Sequence, residues 1–332
     1  MTTAARAFNG SRVLVTGGAG FIGSHLVELL AASGATVTVF DNLRSGSLRN
    51  LVRTQVDSGA VRFWQGDLRD APELTRAVDG NEVVFHLGAN ASVPESVEDP
   101  DYDFETNAVG SQQLYSACIA ARVKRVVFTS TAAVYGRPVY APIDEDHPLD
   151  PVSPYGASKL AAERLGFTYQ RVYGLPFVGI RLFNVYGERQ RKYVMYDLLR
   201  KIQIDPKGTL ELLGDGQQTR AFCYVRDACE GLLLAAAHPR AIGEVFNLGG
   251  AEPMTVAQLA NVMLRLLGFR DQRSLTFSGH SWKGDIEQMI PDTQKIHAWL
   301  GFKPLTSLED GLRRLLAEVR ESDTAMALVG GA

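Results

Sequence analysis

Tyr155 and Lys159 are of the residue types, and at the spacing, that suit proton transfer. They lie four residues apart, just after the helix-start signals Ser153 and Pro154, and one turn of helix would place both side chains on the same face. A phenol with a pKa of ~10 is a poor base at neutral pH, but an ammonium group about 4 Å away contributes on the order of 4 kcal/mol at an effective dielectric of 20. We therefore expect Lys159 to lower the pKa of Tyr155 by a few pH units, so that Tyr155 can exchange a proton with a substrate hydroxyl. Thr131 could hydrogen-bond to the same oxygen.

Such a pair is also common on exposed helix faces, so its meaning depends on the elements that position it. The clearest of these elements is a strand, a glycine-rich turn and a helix near the start of the chain. Residues 13–16 are apolar or β-branched, three glycines follow within residues 17–20, and apolar residues at helical spacing begin at Phe21. This order is typical of a dinucleotide site. One glycine permits a tight turn, one lets backbone amides approach a pyrophosphate, and Gly23 lets the helix pack closely on the strand.

Two carboxylates follow the next strand patterns. Residues 35–40 end at Asp41, 18 residues after Gly23, and residues 61–65 run into Asp67. Asp41 is placed to accept hydrogen bonds from the adenosine ribose hydroxyls, which favours NAD over NADP. Asp67 is suited to accept from the adenine amino group. Its alternative role is to cap the helix that starts near residue 72.

Further strand patterns at residues 83–87, 125–129, 177–184 and 244–248 alternate with helix patterns. The alternation predicts an α/β fold of the Rossmann type, with a doubly wound parallel sheet and helices on both faces. Ligands bind beyond the carboxyl ends of the strands of such a sheet. One rim should therefore hold Thr16 to Gly20, Asp41, Asp67, Gly88 to Ala91 and Thr129 to Thr131.

Composition narrows the class of protein. The chain has 332 residues, 45% of them hydrophobic, which is long enough for two domains with buried cores. Its formal charge of −3 gives no strongly basic surface of the kind that binds nucleic acid. We expect neither a signal peptide nor a membrane span, because no long apolar run is present. Cys118, Cys223 and Cys229 lack metal-ligand spacing and are predicted to be buried thiols in a reducing cytoplasm, with no metal bound.

Seven segments occur in an order found in one known family. They are VTGGAGFIGSHL from Val15, DNLRSG from Asp41, GDL from Gly66, HLGA from His86, FTSTAAVYG from Phe128, PYGASK from Pro154 and RLFNVYG from Arg181. Over essentially residues 12 to 320, the chain resembles the extended short-chain dehydrogenase/reductase family, and within it the NAD-dependent sugar-nucleotide epimerases and dehydratases. The resemblance implies Thr131, Tyr155 and Lys159 as the catalytic trio, with Lys159 also holding the nicotinamide ribose. The implied NAD contacts are Gly17, Gly20, Phe21, Ile22, Gly23, Asp41, Asn42, Asp67, Leu68, Leu87, Ala89, Asn107, Tyr155 and Lys159.

The residues after Thr131 bear on the reaction. Dehydratases of the group resemble one another in carrying an acidic residue directly after the catalytic Ser or Thr, and decarboxylases carry a Glu just before the VYG. This chain has Ala132 and Ala133 there, and alanine cannot transfer the second proton that β-elimination needs. The pair resembles the 4-epimerases, which implies epimerisation at C4 of a nucleotide-diphosphate hexose through a 4-keto intermediate, most commonly a UDP-sugar.

The second half is expected to bind the substrate. The resemblance implies substrate contacts at Ala91, Thr131, Ala132, Tyr155, Asn184, Arg220, Lys283 and Asp285. Arg220 suits a diphosphate because its guanidinium is planar and permanently charged; the alternative is a surface salt bridge. The short basic loop Glu188 to Lys192 could face a substrate carboxylate, as in a uronate, or simply be solvated, and the second is favoured.

The predicted organisation is an NAD-binding domain at residues 1–184, with a returning strand near 225–250, and a nucleotide-sugar-binding domain at 185–224 and 251–325. The family pairs through two helices, here Pro100 to Ala121 and Tyr155 to Arg171, which implies a cytoplasmic homodimer. Three alternatives stay open: a net 4-ketoreductase or dehydrogenase, a decarboxylase or dehydratase, and a non-catalytic NAD-responsive regulator.

Overall fold

The centre of the molecule is a parallel β-sheet. The computed structural model describes residues 3–54, 59–205, 209–269, 274–280 and 286–329. In chain order its strands are β1 (Arg12–Thr16), β2 (Thr36–Asp41), β3 (Val61–Gln65), β4 (Val83–His86), β5 (Arg125–Thr131), β6 (Phe177–Leu182), β7 (Asn184–Tyr186), β8 (Leu210–Leu212), β9 (Thr219–Tyr224), β10 (Val245–Leu248), β11 (Pro253–Thr255), β12 (Leu275–Phe277) and β13 (Gln288–Met289). Within the described residues, seven of them form the main sheet in the order β10-β6-β5-β4-β1-β2-β3, with every pairing parallel. The predicted Rossmann-type sheet is confirmed.

Helices cover both faces of this sheet. They are α1 (Thr3–Arg6), α2 (Phe21–Ala32), α3 (Ala71–Val78), α4 (Val93–Glu98), α5 (Pro100–Phe104), α6 (Gly110–Ala120), α7 (Pro154–Tyr173), α8 (Tyr193–Ile204), α9 (Val225–Ala237), α10 (Val256–Leu266), α11 (Gln294–Leu300) and α12 (Leu308–Val329). Successive strand residues point to opposite faces. Val13 and Val15 accordingly join the core under α2 and α9, whereas Leu14 joins the core under α3, α6 and α7. None of the described helices is long and apolar enough to cross a membrane.

The helix predicted from Pro100 to Ala121 is present as α5 and α6, which are joined by a π turn without a break in the helical backbone. The π turn covers Glu105–Val109, and such a turn inserts one extra residue into a helix. It contains Asn107, which donates from its side chain to Asp103 at 3.0 Å. The periodicity of apolar residues does not reveal this insertion, because α6 places its apolar residues in the core whereas α5 has no buried apolar face, and its Phe104 is 51% exposed.

The second half of the chain alternates between the main sheet and two smaller ones. β7, β9, β11 and β13 form a small sheet beyond the rim, β8 pairs with β12, and β10 returns to the main sheet beside β6. The predicted strand from Phe177 to Asn184 is split, because β6 ends at Leu182 and β7 pairs with β9 instead of a main-sheet strand. The chain therefore crosses between the sheets several times.

The three cysteines are free and buried, as predicted. Burial raises the pKa of the Cys118 and Cys229 thiols well above the ordinary value. Thiols of this kind are unreactive at neutral pH because the nucleophilic form is the thiolate.

Candidate active site

A cleft of about 960 Å³ opens at the carboxyl ends of the main strands and extends to the small sheet. Its volume is at the upper end of the ~300–1,000 Å³ range of small-molecule sites. Most residues implied by the family resemblance line it: Gly17, Gly20, Phe21, Ile22, Gly23, Asp41, Asn42, Leu68, Leu87, Ala89, Ala91, Thr131, Ala132, Tyr155, Lys159, Asn184 and Arg220. Asp67 and Asn107 are not among its lining residues. Lys283 and Asp285 lie outside the described residues.

The glycine loop between β1 and α2 has the shape that a pyrophosphate site needs. Gly17 has a φ of +69°, and a Cβ there would lie 2.7 Å from the Gly88 nitrogen. A Cβ on Gly23 would lie 2.1 Å from the Gly17 oxygen, so this glycine lets α2 start close to the loop. Gly20 differs, because within the described chain a Cβ there would meet only the Gly17 oxygen, at 3.1 Å. Protein packing alone does not require a glycine at position 20.

The start of α2 is suited to bind an anion. Gly20 is its N-cap and provides no side-chain acceptor for the first-turn amides. Such amides, together with the helix dipole, attract phosphate groups. The open space beside Gly20 and these amides make a cradle that fits a dinucleotide pyrophosphate.

Asp41 lies at the end of β2 and is 8% exposed. Burial raises the pKa of its carboxyl group, and hydrogen bonds from the backbone nitrogens of Leu43 and Ala19, both at 2.9 Å, act in the opposite direction. The bond from Ala19 ties the carboxylate to the glycine loop. Asp41 therefore lines the cleft in a fixed orientation, as a ribose acceptor would.

Asp67 is held by neighbouring side chains. Burial acts to raise the pKa of its carboxyl group, but hydrogen bonds from Arg69, at 3.0 and 3.1 Å, and from Asn42, at 3.0 Å, lower that pKa to about 2. The alternative role for Asp67, capping the next helix, is wrong, because Asp70 caps α3 by accepting from the Glu73 nitrogen at 3.0 Å. Asp67 reaches the cleft indirectly, by fixing the cleft-lining Asn42.

Thr131, Tyr155 and Lys159 converge where β5 ends against α7. Thr131 is the last residue of β5, Tyr155 hydrogen-bonds to it, and Lys159 lies one turn further along α7. Lys159 is 2% exposed, and its Nζ lies 4.2 Å from the centroid of the Phe128 ring. The sequence prediction that these three side chains meet at one rim agrees with this geometry.

The expected lowering of the Tyr155 pKa by Lys159 is wrong for the protein as it stands. Burial raises the pKa of Tyr155, and the hydrogen bond from Thr131 offsets this only in part. Burial also lowers the pKa of Lys159 to about 7, although the carboxylates of Asp103 and Glu163 act in the opposite direction. The estimate from spacing assumed a fully charged lysine, whereas removal from water disfavours the charged form of both groups.

Asn107 lies behind the wall of the cleft. It is 1% exposed, accepts from the Asn90 nitrogen at 2.8 Å, and donates to Asp103 and Ser158, each at 3.0 Å. The Asp103 carboxylate also accepts from the Asn90 amide at 3.0 Å and from the Ser158 hydroxyl at 2.5 Å. This network holds the cleft-lining loop at residues 88–91 against α7. Asn107 therefore positions the site and does not line it.

Tyr193 is a lining residue that the sequence did not indicate. Its hydroxyl donates to the Ala91 carbonyl at 2.5 Å, and its proximity contributes to the raised pKa of Tyr155. It begins α8 with a φ of +73°. No spacing in the sequence signals this role, because the contact depends on how the loop before α8 folds back.

Fold and site together define an α/β enzyme of the short-chain dehydrogenase/reductase type, with a dinucleotide cradle and a Thr, Tyr and Lys set at one rim. A model of the NAD dependent epimerase/dehydratase family matches residues 13–249. The chain belongs to this family.

Relatives within the family include both reaction types. A putative UDP-glucose 4-epimerase from Methanocaldococcus jannaschii is 33% identical over 92% of this chain and 97% of its own length. A dTDP-glucose 4,6-dehydratase from an Actinoplanes species is 34% identical over 93% and 98%. The structure of a UDP-N-acetylglucosamine 4-epimerase from Methanobrevibacter ruminantium, in complex with UDP-N-acetylmuramic acid, is 32% identical with a TM-score of 0.87, covering 95% of this chain and 99% of that one.

Proposed function

We propose that the protein interconverts the C4 epimers of a nucleotide-diphosphate hexose, with an NAD that stays bound through the cycle. The expected substrate is a UDP-sugar. The observation that carries this proposal is that Thr131, Tyr155 and Lys159 meet beside a dinucleotide cradle. The two residues directly after Thr131 are alanines, and both line the cleft. When bound, NAD accepts a hydride from C4 and returns it. The residues proposed to hold it are the glycine loop, Asp41, Asn42 and Lys159.

Tyr155 is proposed to move the proton of the 4-hydroxyl. Because burial raises its pKa, its resting form is the neutral phenol, and the hydrogen bond from Thr131 stabilises the phenolate as it forms. Lys159 has a pKa of about 7 and can carry positive charge beside this phenol near neutral pH. Together these residues would take the proton as the hydride leaves C4, and they would give it back after the 4-keto sugar has rotated to present its other face.

Asn184 and Arg220 are proposed to hold the diphosphate. Both line the cleft on the small-sheet side. Nη1 of Arg220 donates to the carbonyls of Thr219, at 2.9 Å, and Glu287, at 3.2 Å, which fixes the guanidinium at the wall of the cleft. Lys283 and Asp285 stay predictions.

Elimination of water is a less suitable reaction for this cleft. Ala132 and Ala133 line it directly after Thr131, where a dehydratase needs a further acid or base. A net 4-ketoreductase would use the same trio, but it would release its cofactor in every cycle, whereas an epimerase would keep NAD bound. An assay without added cofactor therefore distinguishes the two activities.

We further propose a homodimer formed through α5, α6 and α7. Large apolar side chains are exposed along these elements, with Phe104 at 51%, Val172 at 63% and Tyr173 at 60%. These side chains lie on the helices through which the family pairs, and a dimer would cover them. Light scattering that finds only monomer at micromolar concentration would remove this expectation; a cytoplasmic location stays a prediction.

The reaction is tested by proton NMR on UDP-glucose, UDP-N-acetylglucosamine and UDP-glucuronate, with purified protein and no added cofactor. A C4 epimer without build-up of NADH absorbance supports the proposal. Stoichiometric NADH points to a dehydrogenase, and loss of water or carbon dioxide contradicts the interpretation of Ala132 and Ala133. In the same assay Tyr155→Phe should lose roughly 100-fold or more in turnover with NAD still bound, while Tyr140→Phe, at an exposed tyrosine outside the cleft, should not. Near wild-type turnover of Tyr155→Phe would refute the assignment.

A further inference from the structure

The loop at residues 188–192, between β7 and α8, is anchored at one side by Arg189. The Arg189 guanidinium pairs with Glu28 and donates to the Ser24 hydroxyl at 3.0 Å, and both partners lie on α2. The Arg189 backbone nitrogen donates to the Glu318 carboxylate at 2.7 Å. Arg189 adopts a φ of +67°, an uncommon conformation for a side-chain-bearing residue that surrounding contacts must hold in place.

The other side of the loop is anchored by Lys192. Its Nζ lies 2.5 Å from the Glu95 carboxylate on α4, and this hydrogen bond lowers the pKa of Glu95. The next residue, Tyr193, is fixed to the Ala91 carbonyl. Two of the three basic side chains of the loop are therefore matched by carboxylates of the protein.

Arg191 lies between these two anchors and is the exception. It lines the cleft and is exposed to it. Among the described residues, no carboxylate or carbonyl pairs with its guanidinium. A loop held on both sides thus presents one unmatched positive charge to the cavity.

Arg191 lines the same cleft as Tyr155 and lies next to its reactive end. Its neighbour Lys192 pairs with Glu95, and Ser96, the next residue on α4, accepts from the Tyr155 nitrogen at 3.1 Å through its hydroxyl. The acidic residues that line the cleft are Asp41, which is tied to the glycine loop, and Glu95, which Lys192 already neutralises. Among the described residues near the reactive end, Arg191 therefore adds a positive charge, beyond that of Lys159, which no carboxylate of the cleft neutralises.

We propose that Arg191 binds a carboxylate on the hexose, so that the substrates of this protein are nucleoside-diphosphate hexuronates. The inference rests on the proposed function and names its substrate class. A guanidinium suits this task because its planar fork can donate two parallel hydrogen bonds to one carboxylate. Ala132 and Ala133 put no negative charge nearby that would repel an acidic sugar.

The diphosphate is the other anion that could meet Arg191, and the choice of substrates separates the two. A diphosphate is common to UDP-glucose and UDP-glucuronate, whereas the carboxylate belongs to UDP-glucuronate alone. The quantity to measure is therefore the ratio of kcat/KM for UDP-glucuronate to kcat/KM for UDP-glucose. The variants are Arg191→Gln and Arg191→Lys, with Arg200→Gln as a matched control at an exposed side chain of α8 that lies outside the cleft.

The wild-type protein should favour UDP-glucuronate, and Arg191→Gln should lower the ratio roughly 10- to 100-fold, since hydrogen bonds to charged groups are among the strong ones. Arg191→Lys should give an intermediate ratio, and Arg200→Gln should leave the ratio unchanged. An equal loss on both sugars would assign Arg191 to the diphosphate and overturn the proposal, as would an unchanged ratio in Arg191→Gln.

The two proposals fail in distinguishable ways. If none of the three UDP-sugars of the activity test is epimerised, the proposed function loses its support for UDP-sugars, and calorimetric affinities for UDP-glucuronate, UDP-glucose and UDP then carry the test of Arg191. Tighter binding of UDP-glucuronate than of UDP-glucose, lost in Arg191→Gln, would still support the carboxylate contact. Equal affinities would refute it.

Discussion

Substituting alanine for Gly23 tests whether the cofactor loop is shaped by close backbone approach. The added Cβ would lie 2.1 Å from the Gly17 oxygen, 2.8 Å from the Gly18 Cα and 2.9 Å from the Gly17 carbonyl carbon. All three are backbone atoms, well inside the ~3.5 Å at which non-bonded atoms begin to attract. They cannot rotate away as a side chain would, so the loop itself has to shift.

The sign of the effect is what makes the substitution informative. Gly23 lies in α2, where Gly→Ala would ordinarily stabilise a helix by about 1 kcal/mol. Overpacking typically costs about 1–3 kcal/mol, and an approach of 2.1 Å to a backbone oxygen puts Gly23→Ala at the upper end of that range. After the helix contribution is subtracted, we predict a net destabilisation of about 2 kcal/mol. Gly20→Ala is the matched control, because among the residues that the structure describes its Cβ would meet only the Gly17 oxygen, at 3.1 Å.

Two readouts distinguish the variants: thermal unfolding of cofactor-stripped protein, and the NAD released on denaturing the protein as isolated. Gly23→Ala should lower both the unfolding temperature and the NAD content. Gly20→Ala should lower mainly the NAD content, because its Cβ projects into space proposed for the pyrophosphate. A cofactor-free Gly23→Ala protein that is as stable as wild type, or more so, would refute the argument from close approach.

Two further substitutions test the charges behind the site. Asp103→Asn keeps the shape of the side chain, and its Oδ1 can still accept from Asn90 and Asn107, but the acceptor of the Ser158 hydroxyl is lost. It also removes a carboxylate that supports the charged form of Lys159, so the pKa of Lys159 should fall below about 7. Activity that needs charged Lys159 is lost as pH rises through that pKa, and in Asp103→Asn this loss should move to lower pH by about one unit or more. The control is Asp101→Asn, at an exposed position of the same helix. A pH–rate profile that does not move in Asp103→Asn would contradict the role of Asp103 in supporting charged Lys159. Glu163→Gln removes the carboxylate that lies 2.6 Å from the buried Arg181 guanidinium. Arg181 then keeps its hydrogen bonds to the Tyr135 hydroxyl and the Glu145 carbonyl but loses the charge of Glu163, which should cost about 3–5 kcal/mol in urea unfolding. A loss below about 1 kcal/mol would show that the ion pair is not needed for stability.

Much of the fold could be predicted from the sequence because the signals are local. The apolar runs of β1 to β6 and the glycine loop each specify their own conformation, and the parallel order follows from their alternation with helices. The Tyr155–Lys159 pair could be found because one helical turn determines its spacing. The direction of the Tyr155 pKa could not be found this way, since burial depends on what the rest of the chain packs around it.

The features that sequence reasoning missed depend on contacts between distant residues. Arg189 and its partner Glu28 are 161 residues apart, and Lys192 and Glu95 are 97 residues apart. The basic loop was interpreted as solvated because these partners cannot be identified from local spacing. The resemblance implies Asn107 as a cofactor contact, and nothing in the sequence shows that its side chain is bound to Asp103 and Ser158 behind the wall of the cleft.

The central claim is that one bound cofactor takes a hydride from C4 and returns it to the same carbon. The most direct test uses the nucleotide sugar with deuterium at C4, incubated with the protein as isolated and an excess of unlabelled NADH in solution. We predict that the epimer keeps its deuterium at C4, since the hydride never leaves the site. An epimer that has lost deuterium to solvent or to the free cofactor pool would contradict the claim.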